Sequence, residues 1–160
     1  MSAALIKAAI VDLIDGTAVT PNLQTVSATV IPLAANTPSP VVLLEDRLAP
    51  EDRAAGSSPA GVKLIEHSIV LHVMHRGKDP QETEEAHDSV VKQITALLRG
   101  ASGGGGTAIL SGAADSASAN TALLNFAERI TVEKSPATVW NKFVRFDTDI
   151  TVNALEGLIA

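Results

Sequence analysis

The sequence predicts an α+β fold: a mixed or antiparallel sheet of about 4–6 strands, with two main helices packed on one face. Three observations carry this. Residues 61–99 (GVKLIEHSIVLHVMHRGKDPQETEEAHDSVVKQITALLR) read as a long strand, a tight polar break and a capped amphipathic helix. The first residues read as a second amphipathic helix, and residues 138–152 alternate apolar and polar like a half-buried strand.

The first element is the helix in MSAALIKAAIVDLIDG. Leu5, Ala9 and Leu13, with Ile6, Ile10 and Ile14, form a broad apolar stripe, and Gly16 is the expected stop. No basic region precedes the apolar stretch, and Lys7 and Asp12 interrupt it, so it makes a poor signal peptide and is too short for a membrane span. Residues 24–33 (QTVSATVIPL) alternate, with Val26, Ala28 and Val30 on one face, and are expected to form a strand. Asn36, Pro38 and Pro40 mark 34–40 as a loop. Residues 41–44 form a short apolar run, expected to be a buried strand. Residues 46–60 (DRLAPEDRAAGSSPA) are polar and rich in Pro and Gly, and are expected to form an exposed loop.

The long strand follows. Ile65, His67, Ile69, Leu71 and Val73 share one face and are expected to meet the core. Leu64, Glu66, Ser68, Val70, His72 and Met74 share the other, a mixed face suited to solvent or to a neighbouring subunit. Asp79 is placed to cap the next helix, Pro80 fits its first position and Glu82 completes a capping box. Ala86, Val90, Val91, Ile94, Leu97 and Leu98 then recur at helical spacing. Glu82, Glu84, Glu85 and Asp88 crowd the positive end of the helix, while Lys92 and Arg99 lie towards the negative end, as its dipole favours.

Residues 101–120 form a flexible segment rich in Gly, Ser and Ala, with a possible short strand at 107–110. Residues 121–127 suit a helical turn or a strand. Residues 129–134 and 138–152 suggest a hairpin turning at Ser135–Pro136. In its second arm Val144, Phe146, Thr148, Ile150 and Val152 share one face, and Arg145, Asp147, Asp149 and Thr151 share the other.

Composition narrows the function. The 160 residues suit one domain, 1–160, with a real core. Hydrophobic residues make up 46% but aromatic ones only 2%, so the core must be aliphatic and a base-stacking platform is not expected. The net charge of −6, without a basic run, disfavours gripping nucleic acid and suits a surface past which DNA slides. With no cysteine there is neither a disulfide framework nor a thiolate metal site.

Candidate chemistry fails on geometry. His67 and His75 share a strand face but lie about 27 Å apart at strand rise. His72 points to the opposite face, and His87 adds at most one pair, so no metal site is expected. The glycine run 103–106 follows a helix and lacks the Gly-Lys-Ser/Thr ending of a phosphate loop. No Gly-x-Ser-x-Gly elbow occurs, and Ser57 and Ser58 have no evident base. The carboxylates from Glu82 to Asp88 have a sufficient reason in helix capping. No catalytic residue, cofactor or metal is therefore expected. Interaction residues are expected instead: Glu45, Asp46, Glu51 and Asp52 alternate with Arg47 and Arg53 in a charged rim, and Leu155, Leu158 and Ile159 form an apolar tail expected to dock.

The order of these segments resembles the tail terminator (tail-completion, tail-cap) proteins of long-tailed phages. The resemblance is carried by SAALIKAAIVDLI, SPVVLLED, HSIVLHVMHRG, DPQETEEAHDSVVKQITALLRG and RFDTDITVNA. It is one of pattern and length, covers most of the chain and rests on no invariant motif. Residues 101–120 depart from the compact pattern. The resemblance implies a non-enzymatic virion protein at the head-proximal end of the tail, assembled in the host cytoplasm. Its partners would be further copies in a hexameric ring, the tail tube protein and the head-side connector or stopper. DNA would pass through the lumen without specific binding, and no membrane is involved. Heterologous ring interfaces join two different faces, and Glu66, Val70 and His72 on one strand, with Arg145, Asp147 and Asp149 on another, are the expected contributors. Two alternatives stand beside this: a head–tail stopper or connector subunit, and, from another class, a small α/β enzyme or ligand-binding domain, which would need a pocket of convergent polar groups.

Overall fold

The computed structural model describes residues 3–47, 51–53, 62–100, 121–124 and 130–159, with side chains described for 4, 6–47, 68–98 and 130–152. Its elements are α1 (Ala3–Leu13), β1 (Thr25–Ser27), β2 (Val41–Arg47), β3 (Glu51–Arg53), β4 (Val62–Gly77), α2 (Pro80–Gly100), β5 (Thr121–Leu124), β6 (Thr131–Lys134), β7 (Thr138–Trp140) and β8 (Phe143–Ile159). The class is α+β.

The eight strands among the described residues belong to one sheet. Its spine is the antiparallel pair β4–β8, in register from Val62↔Ile159 to Gly77↔Val144. Shorter pieces line the two outer edges of that spine. On one side β2 and β3 both pair with β4, and β1 lies beyond β2 as the one parallel neighbour. On the other side β5, β6 and β7 pair in succession with β8. Eight strands thus fill five lanes.

The helices cover one face. Ile6, Ile10 and Ile14 of the α1 region and Val90, Ile94 and Leu98 of α2 are fully buried against Val42, Leu44, Ile69, Leu71, Val73, Ile150 and Val152 of the sheet. The expected apolar faces of both helices, of β4 and of β8 are therefore the ones that pack. An aliphatic core of this kind is held by area buried from water, about 25 cal/mol per Å² of apolar surface. The cap at α2 also forms: the Glu82 amide donates to Asp79 Oδ1 at 2.9 Å. Gly16 does more than stop α1, because the backbone doubles back there. Leu23 N donates to Gly16 O at 2.9 Å, and a Cβ on Gly16 would fall 2.7 Å from the Leu23 carbonyl oxygen.

Several expectations need correction. The strand expected over 24–33 ends at Ser27, whose hydroxyl donates to the Thr29 carbonyl at 2.8 Å and bends the chain off the sheet edge. Val30 is consequently 57% exposed. The loop expected over 46–60 is partly strand, since β2 runs on to Arg47 and Glu51–Arg53 pairs with β4. Residues 48–50 and 54–61 lie outside the described residues, as do 101–120, including the possible strand at 107–110. Within 121–127 the strand alternative holds for Thr121–Leu124. The hairpin turn falls at Asn141–Lys142, not Ser135–Pro136. Asn141 has φ 59°, the left-handed conformation a two-residue hairpin loop needs and asparagine tolerates. Ser135 N still donates to Asp147 O at 2.9 Å; Pro136, with no N–H, interrupts the edge lane between β6 and β7.

The expected apolar tail is part of β8. Leu155, Leu158 and Ile159 pair through their backbones with Glu66, Lys63 and Val62; their side chains lie outside the described residues. The second face of the sheet is also less open than its mixed composition suggests. Val41, Leu43 and Met74 form a small second core with Leu33 packed on it, and Val70 is fully buried.

Candidate functional site

The central feature of the helix-free face is a histidine held between two carboxylates. Alternation on β4 points His72 away from the helices, and the register sets Asp149 of β8 directly opposite it. Glu45 of β2 stands one step diagonally away, opposite Val70. His72 Nδ1 lies 2.7 Å from Asp149 Oδ1, and Nε2 lies 2.7 Å from Glu45 Oε2. Burial alone pulls the His72 pKa down. The hydrogen bonds to Glu45 and Asp149, together with their negative charges, outweigh that and hold it above the usual 6.5. The imidazolium form donates both N–H groups, and the three residues together carry one net negative charge. The side chains are 30%, 44% and 38% exposed, so the triad is open to a partner.

This arrangement does not hold a metal, because the two ring nitrogens point in opposite directions and each is already engaged. No group of three or more His, Cys, Asp or Glu placed for a metal ion exists among the described residues. The geometry clamps charge across three strands.

Towards the end of the strands where β4 leads into α2, the same face becomes basic and aromatic. Arg76 and Arg145 are cross-strand partners. Arg76 lies over the Phe143 ring, its Cζ 5.4 Å from the centroid, and its Nη2 donates to the Thr37 carbonyl at 2.9 Å. Lys78 approaches the same ring to 5.9 Å. Arg145 is held by Asp147 at 3.0 Å. At the hairpin tip Trp140 is 66% exposed and Val139 77%.

The helix-covered face holds a different pair of histidines. His87 of α2 is fully buried, with Nε2 2.7 Å from Thr148 Oγ1. Its ring stacks on Phe146 and meets His75 edge-on at 6.4 Å. Neither His87 Nδ1 nor His75 Nδ1 has a hydrogen-bond partner among the described residues. Burial pushes the His87 pKa down to about 4, with a smaller contribution from His75, and burial also lowers His75. His87 is thus neutral at pH 7. Beside it a hollow of about 230 Å³ opens between α2 and β6, lined by Asp88, Val91, Lys92, Val132, Lys134 and Thr148. Lys134 closes one side of it by bridging to Asp88 at 3.1 Å and Glu84 at 3.2 Å.

The expected interaction residues therefore scatter. His72 and Asp149 come together, and Arg145 and Asp147 pair further along. Val70 offers no surface. Arg47 is exposed at the end of β2, opposite Ser68. Glu51, Asp52 and Arg53 lie in β3 and Glu66 in β4, all with side chains outside the described residues. Sequence reading missed Glu45 as a partner of His72, the buried His87–Thr148 contact and the Trp140 tip. The alternation of 138–152 placed Asp149 on the outer face; only the register places it against His72.

The geometry defines a class: a mixed-sheet α+β domain with two helices on one face and a charged, half-open second face. No protein-family model matches the chain, and no curated protein matches it.

Proposed function

We propose that this chain is a structural virion protein, a phage tail terminator whose copies form a hexameric ring that caps the tail tube and joins it to the head-side connector. The observation that carries the reading is the sheet face opposite the helices, where Glu45, His72 and Asp149 stay partly exposed across three strands. A domain that works alone has no evident need to keep such a charge-clamped face open, whereas a ring subunit needs two different contact faces. The order of segments and their likeness to tail terminators supply the particular assembly. The acidic balance of the chain, −6, suits a lumen that DNA traverses without sticking. The hollow beside His87 lies below the range of about 300–1,000 Å³ typical of small-molecule sites, so it gives the enzyme alternative no support.

The test is assembly. Purified protein is expected to sediment as a ring, to appear as six-fold particles by electron microscopy and to bind the ends of purified tail tubes. A chain that stays monomeric at every concentration and leaves tube ends free would refute the proposal. Rings that bind portal-side connectors but ignore tube ends would reassign it as a stopper.

A further inference from the structure

Four cations gather at the hairpin end of a chain whose net charge is −6. Arg76 and Arg145 face each other across adjacent strands, where like charges are ordinarily unfavourable. Lys78 shares the Phe143 ring with Arg76, and Lys142 sits exposed in the two-residue turn. Among the described residues, Arg145 is neutralised by Asp147 and the other three have no carboxylate bridge. Amid this collar stands Trp140, the single tryptophan of the chain, 66% exposed. An exposed tryptophan paired across the strands with the Phe143 ring that Arg76 and Lys78 approach is the composition of an interface anchor, not of a solvated turn.

We infer that this hairpin end docks onto the acidic first turns of α2 on a second copy of the chain. Glu82 and Glu85 are exposed there, with Glu84 beside them bridged to Lys134, so the collar meets opposite charge, and the Trp140 indole N–H has carboxylates to donate to. The placement suits a ring. Phe143, Arg145 and Arg76 face away from the helices, whereas the outer face of α2 lies on the other side of the sheet. Both patches sit at the same end of the strands, because β4 runs through Lys78 directly into α2. Patches on opposite faces at one height are what head-to-tail closure about an axis along the strands requires.

The inference rests on the ring reading and is tested apart from it. Assembly of the full chain is followed by sedimentation and by Trp140 emission. Trp140→Ala is expected to weaken assembly by about 30-fold or more, the loss typical of an anchor residue. Lys142→Glu is expected to weaken it as well, and mixing it with a Glu85→Lys variant to restore part of the loss. Thermal unfolding of each variant monomer should match the wild type, since the changed side chains are exposed. Wild-type rings that tolerate both Trp140→Ala and Lys142→Glu would overturn the inference and leave the ring reading standing. A wild-type monomer would overturn both. Quenching of Trp140 by a single-stranded oligonucleotide, with no effect of Glu85→Lys, would also overturn it and assign the patch to nucleic acid.

Discussion

Burying a histidine that must stay neutral ties the stability of this fold to pH, and the size of the effect follows from the His87 site. In the unfolded chain His87 titrates near 6.5; in the fold, with no exposed surface, near 4. Its folded pKa is depressed, so the unfolded state takes up the proton first as pH falls. The associated stability is full above about pH 6.5 and drains away between there and about pH 4. A gap of about 2.5 units at 1.36 kcal/mol each amounts to roughly 3 kcal/mol. At pH 5 most of it is already lost, about 2 kcal/mol relative to pH 7.5. The perturbation is His87→Gln, which removes the titrating group and keeps a polar side chain near Thr148. Urea unfolding at pH 7.5 and pH 5 measures both proteins, and taking the difference between them cancels the other groups that titrate in this window, His72 included. His75, beside His87, is lowered by burial in both proteins and cancels in the same difference. The wild type is expected to lose about 2 kcal/mol more than the variant, or about 4–8 °C in Tm for a chain of this size. Parallel losses in the two proteins would refute the claim that His87 is buried neutral.

The His72 clamp has the opposite sign: its folded pKa is raised, so its contribution is present below pH 6.5 and is lost as pH rises through the raised value. An NMR titration should place the His72 midpoint above 6.5, and Asp149→Asn should bring it down; an unchanged midpoint would show that the carboxylate does not hold the charge. At Gly77 an added Cβ would strike the Thr83 hydroxyl, so Gly77→Ala should destabilise the fold by about 1–3 kcal/mol, as overpacking does. Adding Thr83→Ala should recover most of that loss in denaturant unfolding, and no recovery would place the strain elsewhere.

Much of the fold was legible in the residues. Both helices, the long strand and the apolar faces of β4 and β8 follow from periodicity, because a 3.6 or 2.0 repeat with a buried stripe has few other uses. The errors fall where one local contact outranks a pattern. Ser27 ends a strand that alternation would have carried to Leu33. Asn141 takes the turn expected at Ser135–Pro136, because an edge lane tolerates a proline but a two-residue hairpin needs positive φ. The candidate site was half legible. His72 and Asp149 were each placed on an outer face, yet Glu45 sat among carboxylates assigned to a charged rim. Which carboxylates meet the histidine depends on register across β2, β4 and β8, and register is set by the whole sheet. Trp140 went unnoticed because a lone aromatic beside a turn has no period to expose it.

The β4–β8 spine also bears on how fast the molecule acquires its shape. Even its nearest pair, Gly77 and Val144, closes a loop of about 67 residues, and its farthest, Val62 and Ile159, one of about 97. β5, β6 and β7 are stitched to β8 alone within the sheet, and β7 reaches it through a two-residue turn, so this half of the sheet pairs locally while its junction with β4 waits on the long-range closure. Contacts of such high sequence separation slow folding, and the half-built sheet leaves β4 with an open edge in the meantime. A nascent chain would therefore hold the α1, β2, β4 and α2 layer in waiting until β8 arrives. The interval before β8 docks is when the uncovered edge of β4 is most open to wrong pairing with another chain.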